Sequence, residues 1–595
     1  MTASKTKRLT NRTSLTTLVA LLAILLTVFT SSPANSNNQP RKILTGWIPY
    51  YSMKTSLPAI INNADLIKEV MPFWYTLRHN SKTKTTTIVD LYAPANPSVP
   101  IAGPLETMRA AGFQIIPTIT DGTAKLVLSN LLASPANRTK VAKIISDFVV
   151  INNFDGIDLD FEGFAFVDGS STWAKTAPLW AAFVKEVSAL LRANNKLLSV
   201  STPYNFNPTE RQKGYTVYAW PQIAPHIDRL RIMTYDYSVS KVGPIGPLAW
   251  TEKTVAYATS IMPASKVYLG IAGYGRDWIT KVKGVCPAPF AKAIKVGSKA
   301  ATFVMRNAAD LAATYNTTPV FDAKTGEATF TYKKSYEGTT AAGLSTVCTA
   351  TRTAWYQNAQ SYKLRAELVA KYKLGGVTAW TLGMEDPVAM ELIRETARNI
   401  APAKVISALT SDKASTLYAR VVNLSGQLTL EDTSPVASVP VRIEGKSASD
   451  DVWRLLGTAT TGPDGKFLTP ILLGKSTKIK LVTEETWELA KSSSNEIAIE
   501  VDRTISLSAP ATMKSATPFT ISGVVRPRIV GATVSLMRFS SGTWKNVATE
   551  ITDEQGAFAF EISGEKRALV RYQVIVEGDL TWRQVAAPEF SIIIR

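Results

Sequence analysis

The run Asn153-Phe154-Asp155-Gly156-Ile157-Asp158-Leu159-Asp160-Phe161-Glu162-Gly163 sets three acidic residues at alternate positions between large apolar ones. Successive side chains of a strand point to opposite faces. Asp158, Asp160 and Glu162 therefore share one face, and Ile157, Leu159 and Phe161 share the other. Packing like charges in a poorly polarisable interior is costly and forces some of the carboxyls to hold a proton. That cost points to chemistry rather than to architecture. Glu162, nearest the C-terminal end of the strand, is the natural general acid, whereas Asp155, at its start, reads as structural.

Working outward, short β-rich apolar runs alternate with longer amphipathic stretches from residue 44 to about 400, the pattern of repeated βα units. The expected strands are Leu44 to Tyr51, Val70 to Leu77, Gln114 to Ile119, Gly156 to Glu162, Leu197 to Pro203, Leu230 to Tyr237, Val267 to Tyr274 and Gly376 to Leu382. Helices are expected over Lys140 to Val150, Ala174 to Ala193 and Ser361 to Lys373. Eight such strands make an α/β protein with a (β/α)8 TIM barrel spanning residues 41–400. The interval from Trp278 to Gly376 is too long for one βα connection, so an α+β insertion is expected at about 281–355, between strands 7 and 8. It holds the two cysteines of the chain, Cys286 and Cys348. In an oxidising compartment they are expected to form a disulfide, worth about 4 kcal/mol for a loop of this length.

After Ala401-Pro402-Ala403 the texture changes to short alternating strands. Two immunoglobulin-like, all-β sandwich modules are expected at 404–501 and 502–595. Trp453, Gly465 and Phe467 recur as Trp544, Gly556 and Phe558, each 91 positions later. Each module also carries a second tryptophan, Trp487 and Trp582. Aromatic platforms stack on sugars, but repetition at matching sites favours core packing for these rings.

At 595 residues the chain is too long for one compact fold, and with 45% hydrophobic and 19% charged residues it can bury several cores. Two histidines, His79 and His226, and two cysteines leave no material for a zinc or iron–sulfur centre, so neither metal nor cofactor is expected. Neither a G-x-S-x-G elbow nor a P-loop is present. Residues 1–36 run from Lys5, Lys7, Arg8 and Arg12 through an apolar stretch, Leu18 to Phe29, to small residues. That order describes a signal peptide, the alternative being an uncleaved anchor. The expected product is secreted, extracellular or associated with the cell wall, with no membrane attachment after cleavage. The net charge is +19, yet residues 402–595 hold 22 basic and 21 acidic side chains, so the excess belongs to the N-terminal region. Its basic residues are scattered singly, which reads as a solvated surface or an attraction to an anionic wall. No nucleic-acid partner is expected, and the molecule should be a monomer.

The acidic strand matches the Asp-x-x-Asp-x-Asp-x-Glu signature of glycoside hydrolase family 18, the chitinase family. Three further segments keep the family's order. Met233-Thr234-Tyr235-Asp236 resembles its sixth-strand motif, Tyr268 to Trp278 its seventh strand, and Gly375-Gly376-Val377-Thr378-Ala379-Trp380 its eighth. The resemblance covers about residues 41–400. Within the family, Ala354 to Ser361 and the Tyr274-Gly275-Arg276-Asp277-Trp278 run look similar to the bacterial spore-cortex and cell-wall glucosaminidases. That branch often has an acidic pair where this chain has Gln357 and Asn358.

The resemblance implies hydrolysis of β-1,4 linkages in N-acetylglucosamine glycans, with the substrate's own acetamido oxygen as nucleophile. Glu162 would protonate the leaving oxygen and then activate water. Asp160 would hold the acetamido group, and Asp158 would support Asp160. Tyr235, Asp236 and Met233 would position the sugar, and Trp380 would floor its subsite. Trp47 and Phe73, on the first two strands, either line that subsite or pack in the core. The polymer stays open between chitin and peptidoglycan. A catalytically silent lectin and an adhesion protein led by the sandwiches are the competing classes; the presence of Glu162 with both aspartates argues against the first, and the second would require binding by residues 404–595 alone.

Overall fold

The computed structural model describes residues 39–447 and 449–595; the leader expected at 1–36 lies outside them. The chain divides into two units, one ending at Ala401 and the other running from Pro402 to Arg595.

The first unit is a closed barrel of eight parallel strands: β1 (Leu44–Pro49), β2 (Ile67–Asn80), β3 (Thr118–Asp121), β4 (Gly156–Asp160), β5 (Leu197–Pro203), β6 (Arg229–Met233), β7 (Val267–Ala272) and β8 (Gly376–Trp380). Each pairs in parallel with its neighbours, and β1 pairs with both β2 and β8, which closes the ring. All residues of β1, β4 and β7 are buried, because the pore side is filled by side chains and the other side is covered by helices. The expected helices are present at Pro135–Ile151, Trp173–Arg192 and Ala359–Tyr372. The first starts with Ser134 accepting from the Asn137 amide and with proline in its first turn, which suits a helix start on both counts.

Five strands stop earlier than their expected ranges: β1 at Pro49, β4 at Asp160, β6 at Met233, β7 at Ala272 and β8 at Trp380. In each case the last residues of the range leave the ladder and form the rim of the barrel mouth. The insertion also begins sooner than expected. Its first strand is Tyr274–Gly284, separated from β7 by Gly273 alone. A side chain at Gly273 would lie 2.7 Å from the Met384 Cβ, so the barrel runs into the insertion without a linker. The insertion is a five-stranded antiparallel sheet ordered 301–304, 274–284, 345–356, 327–339, 320–322, with a helix at Ala308–Thr314. Cys286 and Cys348 are joined in a disulfide, beside the point where Gly284 pairs with Cys348.

The second unit holds two sandwiches of the same topology. Each has a three-stranded sheet packed on a larger one, with cores led by Leu424, Ile443, Phe467 and Leu481 in the first and Ile521, Leu536, Phe558 and Tyr572 in the second. The repeated residues have a local reason. Gly465 and Gly556 adopt φ of 73° and 71° in matching turns, a conformation natural to glycine. Phe467 and Phe558 fill the space that side chains at Gly426 and Gly523 would need. The tryptophans do not occupy the cores. All four are half-buried, since the inward positions of the strands are taken by aliphatic and phenylalanine side chains. Trp453 lies under Lys480, whose Nζ is 4.1 Å from the ring centroid, and Trp544 packs edge-on to Phe539. Trp582, from the second module, packs against the core of the first and donates to the Gly474 carbonyl at 3.1 Å. Beside it Arg583 pairs with Asp502 and Glu500, both at 2.8 Å.

Replacing Cys286 and Cys348 together by serine should lower the stability of the barrel unit by up to about 4 kcal/mol, the chain-entropy value for a closed loop of this length. A urea titration of the double variant checks it; a midpoint equal to that of the oxidised protein would contradict the expected contribution.

Candidate active site

The pore is layered from its floor upward. At the floor Glu69, fully buried, accepts from Arg231 at 2.8 Å and from Arg229 at 3.1 Å. Burial pushes the Glu69 carboxyl up, but the two guanidinium groups outweigh it and leave it below its ordinary value. Arg231, also fully buried, donates to Thr45 Oγ1 at 2.8 Å and to Ser199 Oγ at 3.0 Å.

Asp158 comes next and is saturated with donors. Ser199 Oγ lies at 2.6 Å, Ser201 Oγ at 2.9 Å, Thr118 Oγ1 at 2.9 Å and the Trp47 indole at 3.3 Å, with Arg231 at 3.9 Å. These groups come from β1, β3, β5 and β6, whose strand geometry turns alternate residues into the pore.

Asp160, one step higher, has the opposite surroundings. It is buried, and its Oδ1 has no hydrogen-bond partner. Burial first, then the charges of Glu162 and Asp158, push its carboxyl well above its ordinary value. Glu162 lies just past the end of β4, not within the strand. Burial and the charge of Asp236 raise its carboxyl to about 7. The chain turns here because Tyr218 donates to the Phe161 carbonyl at 2.9 Å and because Gly163 leaves room for Asp121; a Cβ at Gly163 would sit 2.3 Å from Asp121 Oδ2. A single π-helical turn, Gly163–Val167, follows.

The other expected site residues collect around this column. Tyr235 sits among Tyr274, Asp160, Glu162 and Asp236, all of which add to the effect of burial in pushing its phenol well up. Asp236 has a left-handed backbone, φ 57°, and accepts from Arg276 at 2.7 Å and from the Tyr274 hydroxyl. Met233 ends β6 half-buried, in register with Pro203. Trp380 ends β8 and meets Phe73 and Trp47 edge-on, at centroid separations of 4.9 and 5.7 Å. The peptide after it is cis. Of the two residues left open between subsite and core, Phe73 is half-buried beside Trp380, whereas Trp47 is 1% exposed and its indole anchors Asp158. Asp155 takes the Ile115 amide at 2.7 Å and lies away from the column.

Several members of the site carried no role in the sequence reading. Ser199 and Ser201 on β5, like Arg229 and Arg231 on β6, are polar residues at alternate positions of apolar strands, a signal that marks pore-facing side chains. Tyr274 and Arg276 stand in the seventh-strand motif but belong to the insertion, and they hold Asp236. Gln357 and Asn358 also find their use. Gln357 is fully buried, accepts from the Ala272 amide at 2.9 Å and donates to Glu327 at 3.2 Å. Asn358 caps the helix Ala359–Tyr372 in a reciprocal box with Ser361. Glu327 in turn takes the Ile245 and Gly246 amides at 2.6 and 2.8 Å and pairs with the buried Arg365. The loop that carries Asp236 is thereby tied to the insertion.

A family model described as "Glycosyl hydrolases family 18" matches residues 41–385. YdhD of Bacillus subtilis (strain 168), named as a sporulation-specific glycosylase, is 22% identical over 385 residues, 58% of this chain and 83% of its own length. The cortical fragment-lytic enzyme of the same organism is 23% identical over 210 residues, 34% of this chain and 43% of its own. Chitotriosidase-1 of Mus musculus is 29% identical over 195 residues, 29% of this chain and 39% of its own.

Because the negative charge of Asp236 adds to burial in raising Glu162, Asp236→Asn should move the Glu162 titration below its value of about 7. A carbon-13 titration of the glutamate carboxyls reads the shift directly; an unmoved midpoint would mean that burial alone sets it.

Proposed function

The chain belongs to glycosyl hydrolase family 18 and is a chitinase-like glycoside hydrolase, and we propose that it is secreted and cleaves β-1,4 linkages of N-acetylglucosamine-containing glycans by substrate-assisted, retaining catalysis. The observation that carries this reading is the unpartnered, buried Oδ1 of Asp160 between Asp158 and Glu162. An acceptor deprived of protein donors next to a general acid is a place made for a substrate N–H, and the acetamido group brings one.

In this mechanism the sugar before the scissile bond rests on Trp380 beside Phe73, with Tyr235 and Asp236 at its acetamido side. Glu162, raised to about 7, still holds its proton near neutrality and gives it to the glycosidic oxygen as the C1–O bond breaks. The acetamido carbonyl oxygen attacks C1 and forms a cyclic oxazolinium ion, while Asp160 accepts from the acetamido N–H and stabilises the positive charge. Glu162, now a carboxylate, takes a proton from water as the water oxygen attacks C1. The ring opens, the anomeric configuration is retained, and Glu162 is protonated again. Secretion rests on the leader read at residues 1–36.

Glu162→Gln keeps the size of the side chain and removes its acidic proton, so kcat on N-acetylchitooligosaccharides should fall by roughly 10²–10⁴-fold with binding retained. Mass spectrometry of the products and calorimetric titration of the variant check both parts. Fully deacetylated oligosaccharides should not be cleaved by the wild type, and efficient hydrolysis of cellulose oligosaccharides would overturn the acetamido mechanism.

The pH profile follows from the same group. Glu162 acts as an acid only while protonated, so kcat/KM should decline as pH rises through about 7. A rate that keeps rising above that value would assign the proton to another residue.

A further inference from the structure

The strand Ser345–Tyr356 alternates along its length. Cys348, Ala350, Arg352, Ala354 and Tyr356 are buried, whereas Val347, Thr349, Thr351, Thr353 and Trp355 are half-buried or exposed. One face of the insertion sheet therefore packs inward, and the other is open except at its barrel end, where Trp278 is 3% exposed and donates to the Val239 carbonyl at 3.0 Å. The registers place rows across that open face. Arg276, Trp355 and Thr329 form the row nearest the barrel, followed by Trp278, Thr353 and Thr331. After a bulge between Ile279 and Lys281 come Lys281, Thr351 and Lys333, then Lys283, Thr349 and Ser335. The first row reaches the active site, since Arg276 is the donor that holds Asp236. The lysine rows lie about 13 and 20 Å further along the strand at roughly 3.3 Å per residue.

Lys281, Lys283 and Lys333 are exposed and make no ion pair among the described residues. Lys281 and Lys333 flank Thr351 from the two neighbouring strands, about 10 Å apart at two strand spacings. In the rows on either side the hydroxyls are ordered across the strands, Thr331 with Thr353 at 3.1 Å and Ser335 with Thr349 at 2.9 Å. The acid on this face, Glu337, lies one row beyond, opposite Val347. A strip of hydroxyls and unneutralised ammonium groups that begins beside the buried Trp278, one row out from Arg276, suits a sugar chain carrying anions at intervals. A neutral glycan would use the hydroxyls and leave the charges idle.

We propose that this face binds the distal part of a carboxylate-bearing glycan, so that the enzyme prefers a peptidoglycan-type strand, with its lactyl and peptide carboxylates, over neutral chitin. The inference rests on the family 18 reading of the active site and names the polymer for it.

The test compares purified peptidoglycan with N-acetylchitotriose, which is neutral and too short to reach the lysine rows from the active site. The wild type, a triple Lys281→Glu, Lys283→Glu, Lys333→Glu variant, and the matching triple arginine variant are assayed. The ratio of kcat/KM on peptidoglycan to that on the trimer should fall at least tenfold in the glutamate variant and be held in the arginine variant. In the wild type, added salt should raise KM for peptidoglycan and leave KM for the trimer flat. If the glutamate variant fails to fold, the salt series and peptidoglycan with amidated carboxyls decide, the amidated polymer being expected to lose the advantage. An unchanged ratio, equal loss on both substrates, or salt-insensitive KM on peptidoglycan would overturn the lysine strip while leaving the hydrolase intact. A wild type that cleaves neither substrate would remove the hydrolase reading and this inference with it.

Discussion

The mouth of the barrel depends on how one charge is held in its middle. Asp158 is fully buried, and every donor that four neighbouring strands turn towards it is spent on its two oxygens. Nothing is left for Asp160 one step above: its Oδ1 is buried without a partner, and burial together with the charges of Glu162 and Asp158 pushes its carboxyl well above the ordinary value. The asymmetry is built largely from small residues, Thr118, Ser199 and Ser201, whose hydroxyls crowd around Asp158 beside the Trp47 indole. Two adjacent carboxyls with unequal company differ in which of them has an oxygen free to meet a substrate.

The barrel was legible because it is written in a period-two pattern with a recurring rhythm, and each of the eight expected strands overlaps an observed one. What could not be read was where the strands stop. Asp160, Met233, Ala272 and Trp380 end the ladders, yet the apolar or motif residues run on past them. Local propensity does not register that the next carbonyl is taken by a distant group, as Tyr218 takes that of Phe161. The insertion was visible as an overlong interval, but its start at Tyr274 was hidden because the barrel motif crosses the boundary. The tandem modules showed themselves through Gly465, Phe467 and their repeats. The same repeats misled about the tryptophans, since recurrence marks a shared structural position and a half-buried surface position recurs as faithfully as a core one.

The insertion and the barrel share the acid. Tyr274 and Arg276 hold Asp236, and Asp236 contributes to the raised carboxyl of Glu162. Glu327 reaches from the insertion to the amides of Ile245 and Gly246, and Gln357 reaches back to the end of β7. The residues that replace an acidic pair at 357 and 358 are thus part of the frame: Gln357 both accepts and donates, which a carboxylate at that position would not do.

The junction between the two sandwiches is built differently from a linker. A single residue, Arg503, separates the last strand of the first module from the first strand of the second. It lies against the Trp582 ring, pairs with Asp579 and is almost fully buried. Trp582 in turn packs against the core of the first module. The junction therefore does not bend without breaking packed contacts. A pull on one module is passed to the other through packed side chains rather than taken up by a slack joint.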